Sequence, residues 1–171
     1  PPYRIEMRDP ARHNRAAFSC GEKSLDNYIS KNARKDVSAD VAVCYVACPN
    51  DQDSVIAGYY TLNACSVETA DMSARIAKTS RNYQHIPGML LGRLAVDQRF
   101  QGQKVGAWLL FDALEKVWQV HQQVGVKLII VDALHERAAD FYRKYGFEPF
   151  ADQAMRLYLP VAVIGDILPS S

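Results

Sequence analysis

The chain has 171 residues and a formal net charge of +1 at pH 7, with 49% apolar and 23% charged residues. That is the size and composition of one soluble globular domain with a sizeable core, so a single domain over residues 1–171 is expected. No apolar run approaches the ~20 residues of a membrane helix, so no membrane association is expected. A near-zero net charge also excludes nucleic-acid binding driven by bulk charge alone.

Pro1-Pro2-Tyr3-Arg4 has no apolar signal core and no Met, so a start residue or short leader is expected ahead of it. Cys20, Cys44, Cys48 and Cys65 form no CxxC pair and have no His at ligand spacing, which favours free thiols over a metal site. Reduced thiols point to the cytoplasm. Basic residues cluster at Arg4/Arg8/Arg12/Arg15, at Lys31/Arg34/Lys35 and at Arg75/Lys78/Arg81. Each cluster reads alone as a solvated face; together they also fit an anionic partner.

Tyr3–Met7 reads as a short strand. Ser24 precedes Leu25, Tyr28, Ile29 and Ala33, a helical spacing with Ser24 as N-cap. Val41–Cys48 is rich in strand formers, with Cys44 and Cys48 on one face. Pro49-Asn50-Asp51 breaks it, and Val55–Asn63 resumes as the second arm of an antiparallel hairpin. Met72–Lys78 is a short helix. Residues 79–88 are polar, with Pro87-Gly88 as a turn signal. Met89–Val96 is a strong strand. Val105, Leu109, Ala113 and Val117 then recur at helical spacing, in a helical region that Gly125 ends. Leu128–Ala133 is a continuous apolar strand, Glu136–Tyr145 a helix closed by Gly146, and Met155–Leu159 a last strand. This order predicts an α/β (α+β) fold, a mixed sheet with helices on its faces.

The segment Val96-Asp97-Gln98-Arg99-Phe100-Gln101-Gly102-Gln103-Lys104-Val105-Gly106-Ala107 joins a strand to a helix. Glycines allow several N–H groups to point into one concavity, and the helix N-terminus adds partial positive charge. Such a turn holds a diphosphate. Its plain alternative is a tight connection with no ligand, and Lys104 either adds a charge or faces solvent. The spacing is neither a P-loop nor a dinucleotide fingerprint.

Residues Leu91 to Leu110 resemble the central acetyl-CoA motif of the GCN5-related N-acetyltransferase (GNAT) superfamily, Gln/Arg-x-x-Gly-x-Gly/Ala, aligned as Gln101-x-x-Lys104-x-Gly106. Lys104 replaces the usual first glycine. If that position needs positive φ, Lys costs about 1 kcal/mol there. Ala138-x-x-Phe141-Tyr142-x-x-x-Gly146-Phe147 resembles the superfamily's C-terminal motif. The resemblance implies a mostly antiparallel mixed sheet splayed between strands 4 and 5. It also implies acetyl-CoA as cosubstrate, held by the backbone of Leu94, Ala95 and Val96 and by Arg99, Gln101, Gly102, Gln103, Lys104, Val105, Gly106, Ala107 and Phe141. Tyr142 would be the general acid that protonates the departing thiolate, and the Leu94 N–H the oxyanion donor. Apart from the motif, Tyr142 reads as a core aromatic on an amphipathic helix. Glu136, Asp132, His135 and Asp97 are available as bases, and each reads more simply as a cap or surface group.

A narrower resemblance spans Phe18 to Pro160. Phe18-Ser19-Cys20-Gly21 with Leu25-Asp26, Gly58-Tyr59-Tyr60, Leu91-Gly92-Arg93-Leu94-Ala95-Val96-Asp97 and Arg156-Leu157-Tyr158-Leu159-Pro160 are similar to the GNAT toxins of bacterial type II toxin–antitoxin pairs. This implies acetylation of the α-amino group of aminoacyl-tRNA, a homodimer and a ribbon–helix–helix antitoxin. The ester lowers the amine's pKa, so neutral amine is available near pH 7. Arg75, Lys78, Arg81 and Arg93 would meet the tRNA, with Arg93 either on a phosphate or in a salt bridge to a nearby acid. The competing expectations are an acetyltransferase of a small amine or protein N-terminus, and a catalytically silent acyl-CoA-binding module.

Overall fold

The computed structural model describes residues 2–80 and 82–168, with the backbone alone at Arg75. In chain order the strands are β1 (Tyr3–Met7), β2 (Val43–Pro49), β3 (Gly58–Glu68), β4 (His85–Val96), β5 (Leu128–Asp132), β6 (Glu148–Phe150) and β7 (Gln153–Pro160). The helices are α1 (Lys23–Asn27), α2 (Ala33–Ser38), α3 (Ala74–Thr79), α4 (Val105–His121), α5 (Glu136–Lys144) and α6 (Ile164–Ile167). Strand order in the sheet is β1-β2-β3-β4-β5-β7-β6. β4 and β5 pair in parallel, whereas β1–β2, β2–β3, β5–β7 and β6–β7 pair antiparallel, so the sheet is mixed. The parallel register covers Gly88 to Leu91 against Leu128 to Val131. The rest of β4, residues 92–96, runs on past it, as the implied parting of strands 4 and 5 requires. Among the described residues no helix is long and apolar enough to cross a membrane.

The chain divides into two compact units, Pro1–Asn63 with Arg93–Ala113, and Ala64–Gly92 with Leu114–Ser171. The first unit's core joins Phe18, Tyr28, Ile29, Ala33, Cys44, Val46, Cys48, Ile56, Tyr59 and Ala95. Cys44 and Cys48 share the buried face of β2 as free thiols, which alternation along a strand predicts. The second unit's core joins Val67, Met72, Ile76, Ile86, Leu128, Ile130, Phe150 and Tyr158.

Three local expectations are corrected. Ser24 is not an N-cap: α1 starts two residues earlier than that cap implies, at Lys23, with Glu22 in the cap position and no side-chain cap bond. The local anchor is instead Asp26, whose Oδ1 accepts the Cys20 N–H at 2.8 Å. Pro87-Gly88 is not a turn but lies inside β4. A Cβ on Gly88 would stand 2.6 Å from Ile130 Cδ1 and 3.2 Å from the Leu128 carbonyl, so this glycine serves close strand approach rather than chain reversal. Gly125 does not close α4, which ends at His121; the Gln123 and Val124 N–H groups then turn back onto the Val120 carbonyl. Gly146 does follow α5 with φ +95°, the left-handed residue expected there.

A cluster invisible in the sequence forms beside β1. Glu6, His13 and Cys48 bring potential ligand atoms within 4.8 Å of one another, although no His lies at ligand spacing from a Cys in sequence. The carboxylate is already taken by cations, with Arg12 at 2.7 Å and Arg4 at 3.4 Å, and by His13 Nε2 at 2.9 Å. His13 Nδ1 accepts the Asp9 N–H at 2.8 Å. Burial works to raise the Glu6 carboxyl, but the bonds to His13 and Arg12 outweigh it and hold the group below its ordinary range. The donor set fits a hydrogen-bonded hub that pins the 8–13 loop, not a cation site.

Within the first unit, β3 and β4 meet α4 at Gly58. A Cβ there would stand 2.8 Å from the Ala95 carbonyl and 2.8 Å from Leu109 Cδ1. Gly58→Ala is therefore expected to destabilise the fold by about 1–3 kcal/mol through overpacking, read as a lower denaturation midpoint at unchanged m-value.

Candidate active site

The first unit carries the predicted turn. Asp97, at the end of β4, is almost fully buried and caps the 3₁₀ turn Gln98–Phe100. Its carboxylate accepts the Ser19 N–H at 3.0 Å, the Arg99 N–H at 2.9 Å and the Arg99 guanidinium at 2.9 and 3.2 Å. Burial alone would raise this carboxyl; those donors, Arg99 foremost, hold it below the ordinary range. The Asp97 N–H donates to the Ala57 carbonyl and the Gln98 N–H to the Ser19 carbonyl, both at 2.8 Å. The turn is thus fastened on its inner side before it reaches Gln101.

Gln101 continues the fastening. Its Nε2 donates to the carbonyls of Cys20 and Val96, each at 3.1 Å. Its side chain is a staple, and only its backbone is left for a ligand. Gln103 is held likewise, accepting from the Tyr3 hydroxyl at 2.6 Å. The guanidinium of Arg99 is committed to Asp97, so this residue supports the turn through its ion pair.

The backbone then takes the conformation a cradle needs. Gly102 has φ +78° and Lys104 φ +65°. Lys104 therefore sits in the left-handed region, the strained condition anticipated from the missing glycine. Gly106 does not: it is an ordinary residue of α4, so the glycine freedom is used at Gly102. The Trp108 N–H donates to the Lys104 carbonyl at 3.1 Å. The N–H groups of Val105, Gly106 and Ala107, ahead of that bond, have no carbonyl one turn back inside the helix. They face the turn with the positive end of a 17-residue helix behind them. Residues 101–107 contain no acid, and Lys104 is exposed. These groups fit a diphosphate.

Leu94, Ala95 and Val96 form the last residues of β4, beyond its register with β5, with Leu94 and Val96 half-buried. Arg93 precedes them. Its guanidinium carbon lies 3.6 Å from the centre of the Tyr28 ring, and among the described residues it makes no ion pair. The salt-bridge alternative for Arg93 is thus replaced by a cation–π contact, worth about 0.5–2 kcal/mol in general. Tyr28 belongs to a widened π-turn, Tyr28–Asn32, between α1 and α2, and its hydroxyl donates to Asp36 at 2.9 Å.

Tyr142 lies in the second unit, on α5. It is buried between aromatic neighbours, with its ring edge-on to Phe141 at 5.2 Å and to Phe147 at 5.5 Å. Its hydroxyl has no hydrogen-bond partner among the described residues. Burial pushes its phenol well above the ordinary value, so it stays protonated at any working pH. Tyr145, its sequence rival, is half-buried at the helix C-cap against Phe141. The candidate bases hold structural posts. His135 Nδ1 accepts the Ala138 N–H at the start of α5, Glu136 pairs with Arg143 at 2.8 Å, and Asp132 faces Arg156 at 3.4 Å. Lys78 is exposed on α3. The Arg75 side chain and all of Arg81 lie outside the described residues, so that predicted patch is represented by Lys78 alone.

A family model described as acetyltransferase (GNAT) domain matches residues 40–149, and the chain belongs to this family of N-acetyltransferases. More narrowly, the chain is 34% identical to a probable toxin TacT of Sinorhizobium fredii, over 96% of this chain and 94% of the relative. It is 36% identical to a tRNA-acetylating toxin of Mycobacterium tuberculosis, over 96% of each. Among solved structures it superimposes on AtaT complexed with acetyl-methionyl-tRNAfMet with a TM-score of 0.87, at 31% identity, covering 95% of this chain and 97% of that one.

Lys104→Gly is expected to stabilise the protein by about 1 kcal/mol, by removing a side chain from a left-handed position. A raised denaturation midpoint checks this, and an unchanged or lowered one contradicts it.

Proposed function

We propose that this protein transfers the acetyl group of acetyl-CoA to the α-amino group of aminoacyl-tRNA and thereby blocks translation. What carries the reading is a backbone cradle at the start of α4, with left-handed Gly102 and Lys104, in a chain 36% identical over nearly its whole length to a tRNA-acetylating toxin. Acetyl-CoA supplies the activated thioester carbonyl. The N–H groups of residues 105–107, with the turn at Gly102–Lys104, bind and orient its diphosphate. The backbone of residues 94–96 aligns its pantetheine arm, with Phe141 beside it. The Leu94 N–H holds the carbonyl oxygen, and Tyr142 donates a proton to the departing sulfur. The ester lowers the pKa of the acceptor amine, so neutral amine is available near pH 7 to attack the thioester, and the proton its nitrogen sheds after attack passes to water.

Arg93, Arg75, Lys78 and Arg81 are the basic groups assigned to the tRNA. A cytoplasmic homodimer partnered by a ribbon–helix–helix antitoxin completes the reading. In its support, AtaT has been solved bound to the C-terminus of its antitoxin AtaR together with acetyl-CoA.

Mass spectrometry of total charged tRNA after incubation with acetyl-CoA tests the acceptor. Acetylated α-amino groups are expected; label on free amino acids or polyamines, with charged tRNA untouched, would replace this acceptor by a small amine. Tyr142→Phe is expected to lower kcat by ~10²–10⁴ with cofactor affinity little changed. A raised phenol pKa keeps the proton on Tyr142 as pH rises, so the unaltered enzyme is expected to show no alkaline loss of kcat up to about pH 10, the ordinary tyrosine range. Unchanged turnover in the Phe variant would remove Tyr142 from the mechanism.

A further inference from the structure

Arg93 stands where β4 has left its register with β5, directly ahead of Leu94. Its guanidinium carbon lies 3.6 Å from the centre of the Tyr28 ring. At that separation the two groups are in van der Waals contact, and tilting the guanidinium would drive a nitrogen into the ring. The guanidinium therefore lies flat on the ring, with its N–H donors pointing outward past the ring edge. Among the described residues none of those donors has a hydrogen-bond partner. Nor are they sealed off, as Nε and Nη2 of Arg8 are. The arginine is held by a face and free at its edge.

The ring beneath it is fixed at several points. Tyr28 is only 2% exposed. Its hydroxyl donates to Asp36 on α2 at 2.9 Å. Its ring stacks on Tyr59, with centroids 6.2 Å apart and planes 17° apart, and the Tyr59 hydroxyl donates to the Leu25 carbonyl at 2.6 Å. The Tyr28 carbonyl accepts the Ala33 N–H that closes the π-turn, a local irregularity frequent at functional sites. All of these residues belong to the first unit. Asp36 already satisfies the Tyr28 hydroxyl, so the packing of this tyrosine calls for no cation on its face. A carboxylate in place of the ring would hold Arg93 too, but it would consume the donors. The ring attracts the cation through its negative face and leaves the planar fork open to an anion, and a fork of that shape matches phosphate.

We propose that Tyr28 is a positioning residue that presents the Arg93 fork to a phosphate at the 3′ end of the acceptor. This rests on the aminoacyl-tRNA reading above and adds to it the residue that orients the phosphate contact. Arg93 adjoins Leu94 in β4, so a phosphate on its fork brings the aminoacyl end to the strand end that aligns the pantetheine arm. Charge alone would not do this. A guanidinium on a free stem samples many rotamers, whereas one laid on a fixed ring is already oriented when the acceptor arrives.

The test is the rate of acetylation of charged tRNA from acetyl-CoA by the whole protein, Tyr28→Leu, Arg93→Gln and the double variant. Losing the cation–π contact should lower kcat/KM roughly 2–30-fold in Tyr28→Leu, chiefly through KM. The Kd for acetyl-CoA should stay the same. In the Arg93→Gln background, Tyr28→Leu should add nothing, because no fork is left to position. Equal losses in the two backgrounds, or a loss carried by kcat alone, overturn the positioning role and mark Tyr28 as a core residue only. A second series separates the charge of the ring from its shape. Tyr28→Phe is its parent, and fluorinated phenylalanines at the same position drain the negative face while filling the same space. With Arg93 present, kcat/KM should fall stepwise with fluorination; in Arg93→Gln it should stay level. A level series with Arg93 present overturns the positioning role, and this series decides if Tyr28→Leu fails to fold. Absence of charged-tRNA acetylation by the unaltered protein sinks the parent reading and the role of Tyr28 with it. Arg93→Gln with kcat/KM intact removes Arg93 from the acceptor, and Tyr28 with it. A loss in Arg93→Gln that the Tyr28 variants do not share sinks the role of Tyr28 alone.

Discussion

A cradle made of backbone N–H groups works only where nothing else in the protein takes those groups first. Much of the first unit serves that constraint. Asp97 collects the Ser19 and Arg99 N–H groups and the Arg99 guanidinium, while the Gln101 amide closes on the Cys20 and Val96 carbonyls. Side chains that look like ligands by type, Arg99 and Gln101, are spent as fasteners. What remains to meet a ligand is main chain, at Gly102 to Ala107. The design is sparing of charge, because the helix end and several oriented N–H dipoles do the work of cations. On the proposed function, this is how a chain of net charge +1 accommodates a diphosphate without a basic patch at the turn.

Where sequence and structure agree, the signal was periodic or conformational. β1 spans the Tyr3–Met7 expected of it, α4 starts at Val105, and Gly146 takes the left-handed position after α5. Where they differ, a local signal was overruled by packing. Pro87-Gly88 has turn chemistry, yet β5 approaches so closely at Gly88 that the pair is drawn into β4. Ser24 has N-cap chemistry, yet the chain enters α1 at Lys23, and Asp26 makes the anchoring bond by reaching back to Cys20. β6 is three residues long and α6 four, too short for any periodicity to announce them.

The site shows the same division. The turn was legible because its spacing and its missing glycine both have conformational meaning, and Lys104 adopts the positive φ that the missing glycine implied. Tyr142 stands out as a candidate in the sequence only through its motif; as a buried aromatic on an amphipathic helix it carries no signal of its own. How the arginines pair was not legible at all. Arg4, Arg8, Arg12 and Arg15 share a spacing that suggests one face, but the fold pairs Arg4 with Asp53 and Glu6, and Arg12 with Glu6. Charge pattern along a chain says how many cations there are, and only the fold says which have been neutralised.

The π-turn at Tyr28–Asn32 has its own consequence for how this region tolerates change in length. The Ala33 N–H bonds to the Tyr28 carbonyl, five residues back, so the turn holds one residue more than a regular helix would. Each residue along a helix turns the face by about 100°. The bulge absorbs its extra residue, so deleting one of residues 30–32 would let the Ala33 N–H meet the same carbonyl four residues back and leave α2 in phase. A further insertion has no such slack: it would rotate α2 by that angle and put Asn32 in the place of Ala33, in the core beside Cys44 and Val46. The segment can therefore accept a deletion more readily than an insertion.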